Sequence, residues 1–273
     1  MQKPLFSVII PALNEENFLP TLLDSLVRQT KKNFEVIVVD GKSKDQTVKV
    51  AKSYAKKLRS LSVVISPKAS LPFQRNLGAK HAQGEWLVFV DADSVFLSYF
   101  IERCAEFIIS HNPTVFATWF KPDSDVSGDA LFTLVTNITI EMSLVVKRQF
   151  PPGVLTIVSR SAFDAVLGYD EKHVFNEDLD FGLRLGKAGF NLSILRESLC
   201  IYSLRRFRKQ GKLKVLQQYV TAGFVALFTN SALKKMPGYI MGGHLYGKRK
   251  MVRLSVLKKY QKKLRELSKE LFF

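Results

Sequence analysis

The sequence predicts an α/β protein: a mixed, mainly parallel sheet flanked by helices, followed by a basic, amphipathic, helical C-terminal tail. Three observations predict it. Predominantly apolar runs of strand length alternate with segments of helical periodicity as far as Val90, which is the pattern of strands buried on both faces beneath helices. The 273 residues, 47% of them hydrophobic, suffice for one large core. The formal net charge of +17, from 41 Lys and Arg against 24 Asp and Glu, is concentrated at the end, where residues 248–273 hold ten basic and two acidic side chains.

Element by element, Phe6–Ile10 reads as a strand and 15–29 as a helix with Phe18, Leu22 and Leu26 on one face. Residues 34–39 are a second strand, 46–58 a second helix and 62–65 a third strand. A helix over 73–83 ends before Gly84, and 86–90 is a fourth strand, apolar throughout. Beyond Asp93 the pattern predicts a helix over 97–110, a strand over 114–120 at a sheet edge, and a polar loop over 121–129. Then come a helix over 130–148, a strand over 154–159, helices over 163–166 and 179–188, the latter closed by Gly189, and a short last strand over 191–195. From Arg205 the chain is basic, with Val252, Val256, Leu257, Tyr260, Leu264, Leu267 and Leu271 on one stripe. The domain reading is therefore a unit over 1–204 and an extension over 205–273.

Ligands of open parallel sheets bind beyond the carboxyl ends of the strands, so chemistry is sought there. After the first strand stand Pro11, Asn14, Glu15 and Glu16, which also suit a turn and helix N-terminus, with Asn14 as the cap. After the second, Asp40 ends an apolar run and can accept from a base N–H or a ribose hydroxyl, with Ser43, Asp45 and Thr47 following in a cap-rich loop. Arg75, in Arg75-Asn76-x-Gly78, is either a phosphate partner or a solvated surface arginine. At the end of the fourth strand, strand alternation places Asp91 and Asp93 on the same side. Two like charges that close invite a hard divalent cation, Mg²⁺ or Mn²⁺, which keeps positions open for phosphate oxygens. Glu177 and Asp178 open a helix, either complementing its dipole or supplying a general base. The run containing Arg205 and Arg206 is a solvated basic face or a diphosphate clamp.

Together these motifs resemble the family-2 glycosyltransferases of the GT-A fold. The match is carried by Pro11 with Asn14-Glu15, Asp40-x-x-Ser43-x-Asp45-x-Thr47, Arg75-Asn76-x-Gly78, Gly84 before Asp91-x-Asp93, Gly168-Tyr169-Asp170-Glu171, and Glu177-Asp178 with Arg184 and Gly189. The resemblance implies an inverting, metal-dependent transfer of a sugar from a UDP- or GDP-sugar donor to an acceptor hydroxyl. It places Pro11, Asn14, Glu15, Asp40 and Ser43 around the nucleotide and Arg75 near the diphosphate. It makes Asp93 the metal ligand with Asp91 assisting and touching the sugar, Asp178 the catalytic base with Glu177 beside it, and Arg205 or Arg206 the pyrophosphate contact. The chain lacks the Gln-x-x-Arg-Trp of processive synthases, having Leu204-Arg205-Arg206-Phe207, which favours single transfers.

The tail suits an anionic membrane surface as an interfacial helix, or it packs on the catalytic unit. A glycan or lipid-linked acceptor fits the first, with the enzyme cytoplasmic and peripheral on the membrane. Tyr219–Phe228 falls short of the ~20 apolar residues a span needs. Cys104 and Cys200 form no metal or redox motif. Acceptor contacts are expected from 118–120 and 151–158. A nucleotidyltransferase would want a glycine-rich loop where Pro11–Glu16 stands. A nucleic-acid binder would want basic rather than acidic strand ends, so no nucleic-acid partner is expected.

Overall fold

The computed structural model describes residues 4–58, 60–145, 149, 151–173 and 176–210. Strands β1 (Phe6–Ala12), β2 (Phe34–Asp40), β3 (Leu61–Ile65) and β4 (Trp86–Val90) alternate with helices α1 (Leu19–Val27), α2 (Thr47–Ser53) and α3 (Leu71–His81). There follow β5 (Val95–Phe96), α4 (Phe100–His111), β6 (Val115–Pro122), α5 (Ser127–Val145), β7 (Leu155–Ser159), α6 (Arg160–Ala165), α7 (Glu177–Lys187), β8 (Leu192–Tyr202) and α8 (Arg205–Gln210). The sheet order is β3-β2-β1-β4-β7-β6-β8-β5. β1 to β4 pair in parallel, whereas β7 is antiparallel to β4 and β6, and β6 is parallel to β8. Every residue of β1 and of β4 is buried, as expected for strands covered on both faces.

The first half is arranged as its apolar runs predict, and the deviations have local causes. α1 begins at Leu19 rather than residue 15, because Asn14 takes a left-handed φ of 54° and Pro20 sits in the first helical turn. Asn14 therefore does not cap it. α2 stops at Ser53, five residues before the expected Leu58. β6 is interior, not an edge: β7 and β8 flank it. β8 runs on to Tyr202, whereas the sequence pattern ends a strand at Leu195. The polar stretch Arg196-Glu197-Ser198 meets a register shift across Thr118, Trp119 and Phe120 and then rejoins the ladder. Arg196 turns out to Glu141 and Glu197 to Arg103, so these charges need no burial. The two-residue β5, which pairs with the end of β8, is too short to read from alternation.

Two glycines permit close packing. A Cβ on Gly84 would lie 2.7 Å from the backbone nitrogen of Ser7, so the loop entering β4 can lie against β1 only with glycine there. A Cβ on Gly78 would overlap the Ile9 side chain, which is how α3 settles onto β1. Gly78→Val is expected to overpack this contact and cost about 1–3 kcal/mol, read as a lower urea midpoint with an unchanged slope.

Candidate active site

The loops after β1 and β2 are stitched together by short polar side chains. The Asn14 amide donates to Ser43 Oγ at 2.8 Å and the Glu15 amide to Thr47 Oγ1 at 2.7 Å. The Glu16 amide donates to Asp45 Oδ2 at 3.1 Å, and Asn14 Oδ1 accepts from the Lys44 amide at 2.7 Å. Ser43, Asp45 and Thr47 thus shape the loops. Asp40 differs: Oδ2 accepts from the Ser43 amide at 3.0 Å, while the buried Oδ1 has no hydrogen-bond partner among the described residues. A buried acceptor left open costs free energy unless a ligand donor meets it. Pro11 is buried at the end of β1, beside Val39 in the ladder. Gln74, unremarked in the sequence, closes the loops from below by donating to the carbonyls of Ala12 and Val39 at 3.1 and 2.8 Å.

Arg75 is neither a solvated arginine nor an open phosphate clamp. It is 1% exposed, the largest fully buried side chain among the described residues. Nη1 donates to Glu177 Oε1 at 2.9 Å, Nη2 donates to the Gly153 carbonyl at 2.7 Å, and Nη2 lies 3.5 Å from Asp91 Oδ1. Its guanidinium carbon sits 5.0 Å from the centre of the Tyr169 ring. Beside it, Asn76 exchanges two hydrogen bonds with the Tyr169 backbone, at 2.8 and 2.9 Å. Arg184 Nη1 donates to the carbonyls of Val166 and Gly168 at 2.6 and 2.7 Å. The Arg-Asn pair of α3, the Gly-Tyr turn and the arginine of α7 are therefore one assembly.

The triplet Asp91-Ala92-Asp93 lies just past β4, in a turn, so strand alternation does not govern it. The two carboxylates face different cations. Asp91 faces Arg75, and Asp93 Oδ2 lies 2.9 Å from Arg205 Nε. Arg205 also donates to both oxygens of Glu15, at 2.9 and 2.7 Å, and stacks 4.2 Å above Phe18. Of the two arginines the sequence left open, Arg205 is the one seated on Glu15 and Asp93, with Arg206 next to it on α8. Burial pushes the Asp91 carboxyl up to about 6 against the pull of Arg75, with Asp93 and Glu177 adding to the rise. Burial raises Glu15 to about 7 despite Arg205.

At the start of α7, Glu177 is buried against Arg75. Asp178 keeps Oδ1 on the Leu179 amide at 2.8 Å, and the backbone of Gly153 closes over Oδ2 so tightly that a Cβ there would come within 2.5 Å. Burial first and the charge of Glu177 second push Asp178 up to about 7. Residues 151–158 thus reach the site through Gly153. Residues 118–120 instead hold α5: Trp119 Nε1 donates to Glu141 at 3.1 Å, and the Phe120 amide to Asn137 at 3.1 Å.

A second acidic group went unread in the sequence. Asp170, His173 and Asp180 bring one ligand atom each within 4.8 Å of one another, enough to hold a cation. Asp180 already accepts from Arg184 at 2.8 Å and Asp170 from the Lys172 amide at 3.0 Å. In sequence only the local Asp170 to His173 spacing was visible; Asp180, on α7, joins them in the fold.

Residues 7–167 match the family described as glycosyl transferase family 2. The chain belongs to this glycosyltransferase family. Its curated relatives include the uncharacterized glycosyltransferase EpsJ of Bacillus subtilis, 30% identical over 73% of this chain and 61% of that protein. They also include the poly(ribitol-phosphate) beta-N-acetylglucosaminyltransferase TarS of Staphylococcus aureus, 37% identical over 74% of this chain and 36% of that one. The chain spans between about a third and three-fifths of the length of such relatives. Among solved structures, S. aureus TarS 1-349 in complex with UDP superposes with a TM-score of 0.62 at 26% identity, over 72% of this chain and 60% of that one. The mannosyltransferase PcManGT of Pyrobaculum calidifontis, in complex with GDP-Man and Mn²⁺, shares the fold with a TM-score of 0.60 at 19% identity, over 74% of this chain and 57% of that one. The GT-A architecture expected of a family-2 glycosyltransferase is the architecture observed. Among the described residues no helix is long and apolar enough to cross a membrane.

Arg75→Met is expected to cost about 3–5 kcal/mol by stranding the buried Glu177 carboxylate, measured by urea unfolding. Adding Glu177→Gln should recover part of the loss. A double variant no more stable than the single one would mean that Glu177 is not the group left uncompensated.

Proposed function

We propose that the protein is an inverting, metal-dependent glycosyltransferase that moves one sugar from a nucleoside-diphosphate donor to an acceptor hydroxyl. The observation that carries this reading is the pair of half-sites joined by Arg75. Asp91 with Asp93 stands on one side, and Asp178, its carboxyl raised to about 7, on the other. A base poised near neutrality is what removal of a hydroxyl proton requires.

On the donor side, Asp40 Oδ1 accepts from the base, within the loop frame of Pro11, Asn14 and Ser43. The TarS complexes with UDP and UDP-GlcNAc support a uridine nucleotide, and the PcManGT complex with GDP-Man keeps a guanosine nucleotide in play. Arg205, with Arg206 beside it, neutralises the diphosphate once Glu15 releases part of its hold. Asp93 assisted by Asp91 would hold a divalent cation, Mg²⁺ or Mn²⁺, which would supply charge stabilisation at the departing diphosphate. The fit rests on the donor set: only hard carboxylate oxygens, with Asp91 raised to about 6 by burial and by its acidic neighbours.

On the acceptor side, the hydroxyl oxygen attacks the anomeric carbon as its proton passes to the Asp178 carboxylate. The bond from that carbon to the diphosphate breaks, and the nucleoside diphosphate leaves with the electron pair. One displacement inverts the anomeric centre. Glu177 positions Arg75 and the base. A relative named for acting on poly(ribitol-phosphate) supports a glycan or lipid-linked acceptor. The ten basic residues of 248–273 support peripheral contact with the cytoplasmic face of a membrane; they and the rest of the tail beyond Gln210 lie outside the described residues.

Asp178→Asn is expected to lower kcat by about 10²–10⁴-fold while leaving donor affinity, measured by titration calorimetry with UDP-GlcNAc and GDP-mannose, nearly unchanged. Near-normal turnover would overturn the assignment. In the wild-type protein kcat/KM should fall on the acid side with an apparent pKa near 7. The folded-state value lies above that of an unfolded aspartate, about 3.9. Ionising Asp178 therefore disfavours the fold progressively between those values, and Asp178→Asn should melt higher than wild type at pH 8 and equal to it near pH 3.

A further inference from the structure

The outer face of α5 is uncharged and mostly aliphatic, with Thr139 also exposed on it. Leu131, Leu134, Val135, Ile138, Met142 and Val145 are between 48% and 74% exposed and recur at helical spacing along the helix. The acids of α5 are turned away from this face. Asp129 is buried and bonded to Arg208 and Ser124, and Glu141 is bonded to Trp119 and Arg196. A helix face left in water ordinarily carries Lys, Glu or Gln, and a contiguous stripe of exposed aliphatic side chains marks a covered surface.

The chain itself supplies a matching cover. The last described helix, α8, is pinned to the start of α5: Arg208 lies 2.6 Å from Asp123 and 3.0 Å from Asp129. The chain thus leaves the described residues beside the first turn of α5. Just beyond Lys212 and Lys214 stand residues 215–233, nineteen residues with no charged side chain, the same number as in α5. Val215, Tyr219, Phe224 and Leu227 lie among the apolar positions of this segment, yet Gln217, Gln218, Gly223, Thr229, Asn230 and Ser231 make it unsuited to spanning a bilayer. A short tether holds such a segment at a high effective concentration near the face.

We propose that residues 215–233 dock along the outer face of α5, so that the helix-bearing half of the catalytic unit and the start of the tail form one packed body. The strongly basic 248–273 is then left outside that contact, available to an anionic surface. This pairing is independent of the transfer chemistry.

The test uses the full chain, whose native Cys104 and Cys200 are both buried and so leave a quiet background for thiol chemistry. Leu134→Cys is combined with single cysteines placed in turn across 215–233 and treated with a short bismaleimide. The expected result is cross-linking at monomer mass, strong at positions recurring every three or four residues. In the singly substituted protein, Leu134→Cys should be alkylated about tenfold more slowly than Ile109→Cys, which sits at an 84% exposed position on α4. Cross-links found only at dimer mass would overturn the proposal in favour of a second copy. Alkylation as fast as at Ile109→Cys in buffer, slowed only by anionic phosphatidylglycerol vesicles, would overturn it in favour of a membrane surface. As a check that does not depend on cysteine, Ile138→Asp should lower the melting temperature and speed proteolysis within 215–233. An unchanged melting temperature would mean that the face is solvated and the proposal wrong.

Discussion

The buried charge of Arg75 is the constraint around which the rest of the site is organised. A guanidinium removed from water needs hydrogen-bond acceptors and counter-charge on several sides. It finds them in Glu177, Gly153 and Asp91, which come from α7, the loop before β7 and the end of β4. No short-range sequence pattern links those segments; the charge does. Moving any of them leaves either the arginine or a carboxylate uncompensated, so the two half-sites are held at a set separation by electrostatics rather than by a continuous element. Asn76 and Arg184 extend the same logic to the backbone, clamping the Gly168-Tyr169 turn against which the arginine packs.

Arg205 stands at the other end of this group of charges, under different terms. It bridges Glu15 of the β1 loop and Asp93, and stacks on Phe18, so the first residue of α8 is bonded to the strand-end loops although the change in sequence character puts a boundary at residue 204. Bidentate pairing with Glu15 fixes the guanidinium plane. Where Arg75 is enclosed, Arg205 keeps a partly open surface. The first arginine holds architecture; under the proposed function, the second would exchange a carboxylate partner for a phosphate.

What could be read in the sequence was whatever a local pattern encodes. Apolar runs gave β1 to β4 nearly to the residue, and with them the strand ends that carry Asp40 and Asp91. Ser43, Asp45 and Thr47 stood out as a motif, but their work of tying two loops through backbone amides emerges only when the loops are side by side. Arg75 could pass for a solvated arginine because nothing adjacent in sequence announces Glu177, 102 positions away. The end of β8 was missed because its polar middle is accommodated by a register shift in β6, a property of the partner strand. Asn14 looked like a cap, and its left-handed backbone instead turns it toward the β2 loop.

Charge balance supplies the last step. Glu15, Asp91, Asp93, Glu177 and Asp178 lie around Arg75 and Arg205, so carboxylates outnumber guanidiniums. Burial answers by raising Glu15, Asp91 and Asp178 into the range of 6 to 7, which lets the protein's own groups hold protons in place of some of their negative charge. A diphosphate arriving among them would add to the surplus, and two arginines already engaged cannot absorb it alone. Under the proposed function, a divalent cation held by Asp91 and Asp93 would resolve the conflict there by favouring ionised carboxylates. Asp178 owes its rise to burial and to Glu177, not to that cation's ligands, and so keeps its raised affinity for a proton. Under the proposed function, the same surplus of carboxylates would separate their roles, one pair for the cation and one residue for the acceptor's proton.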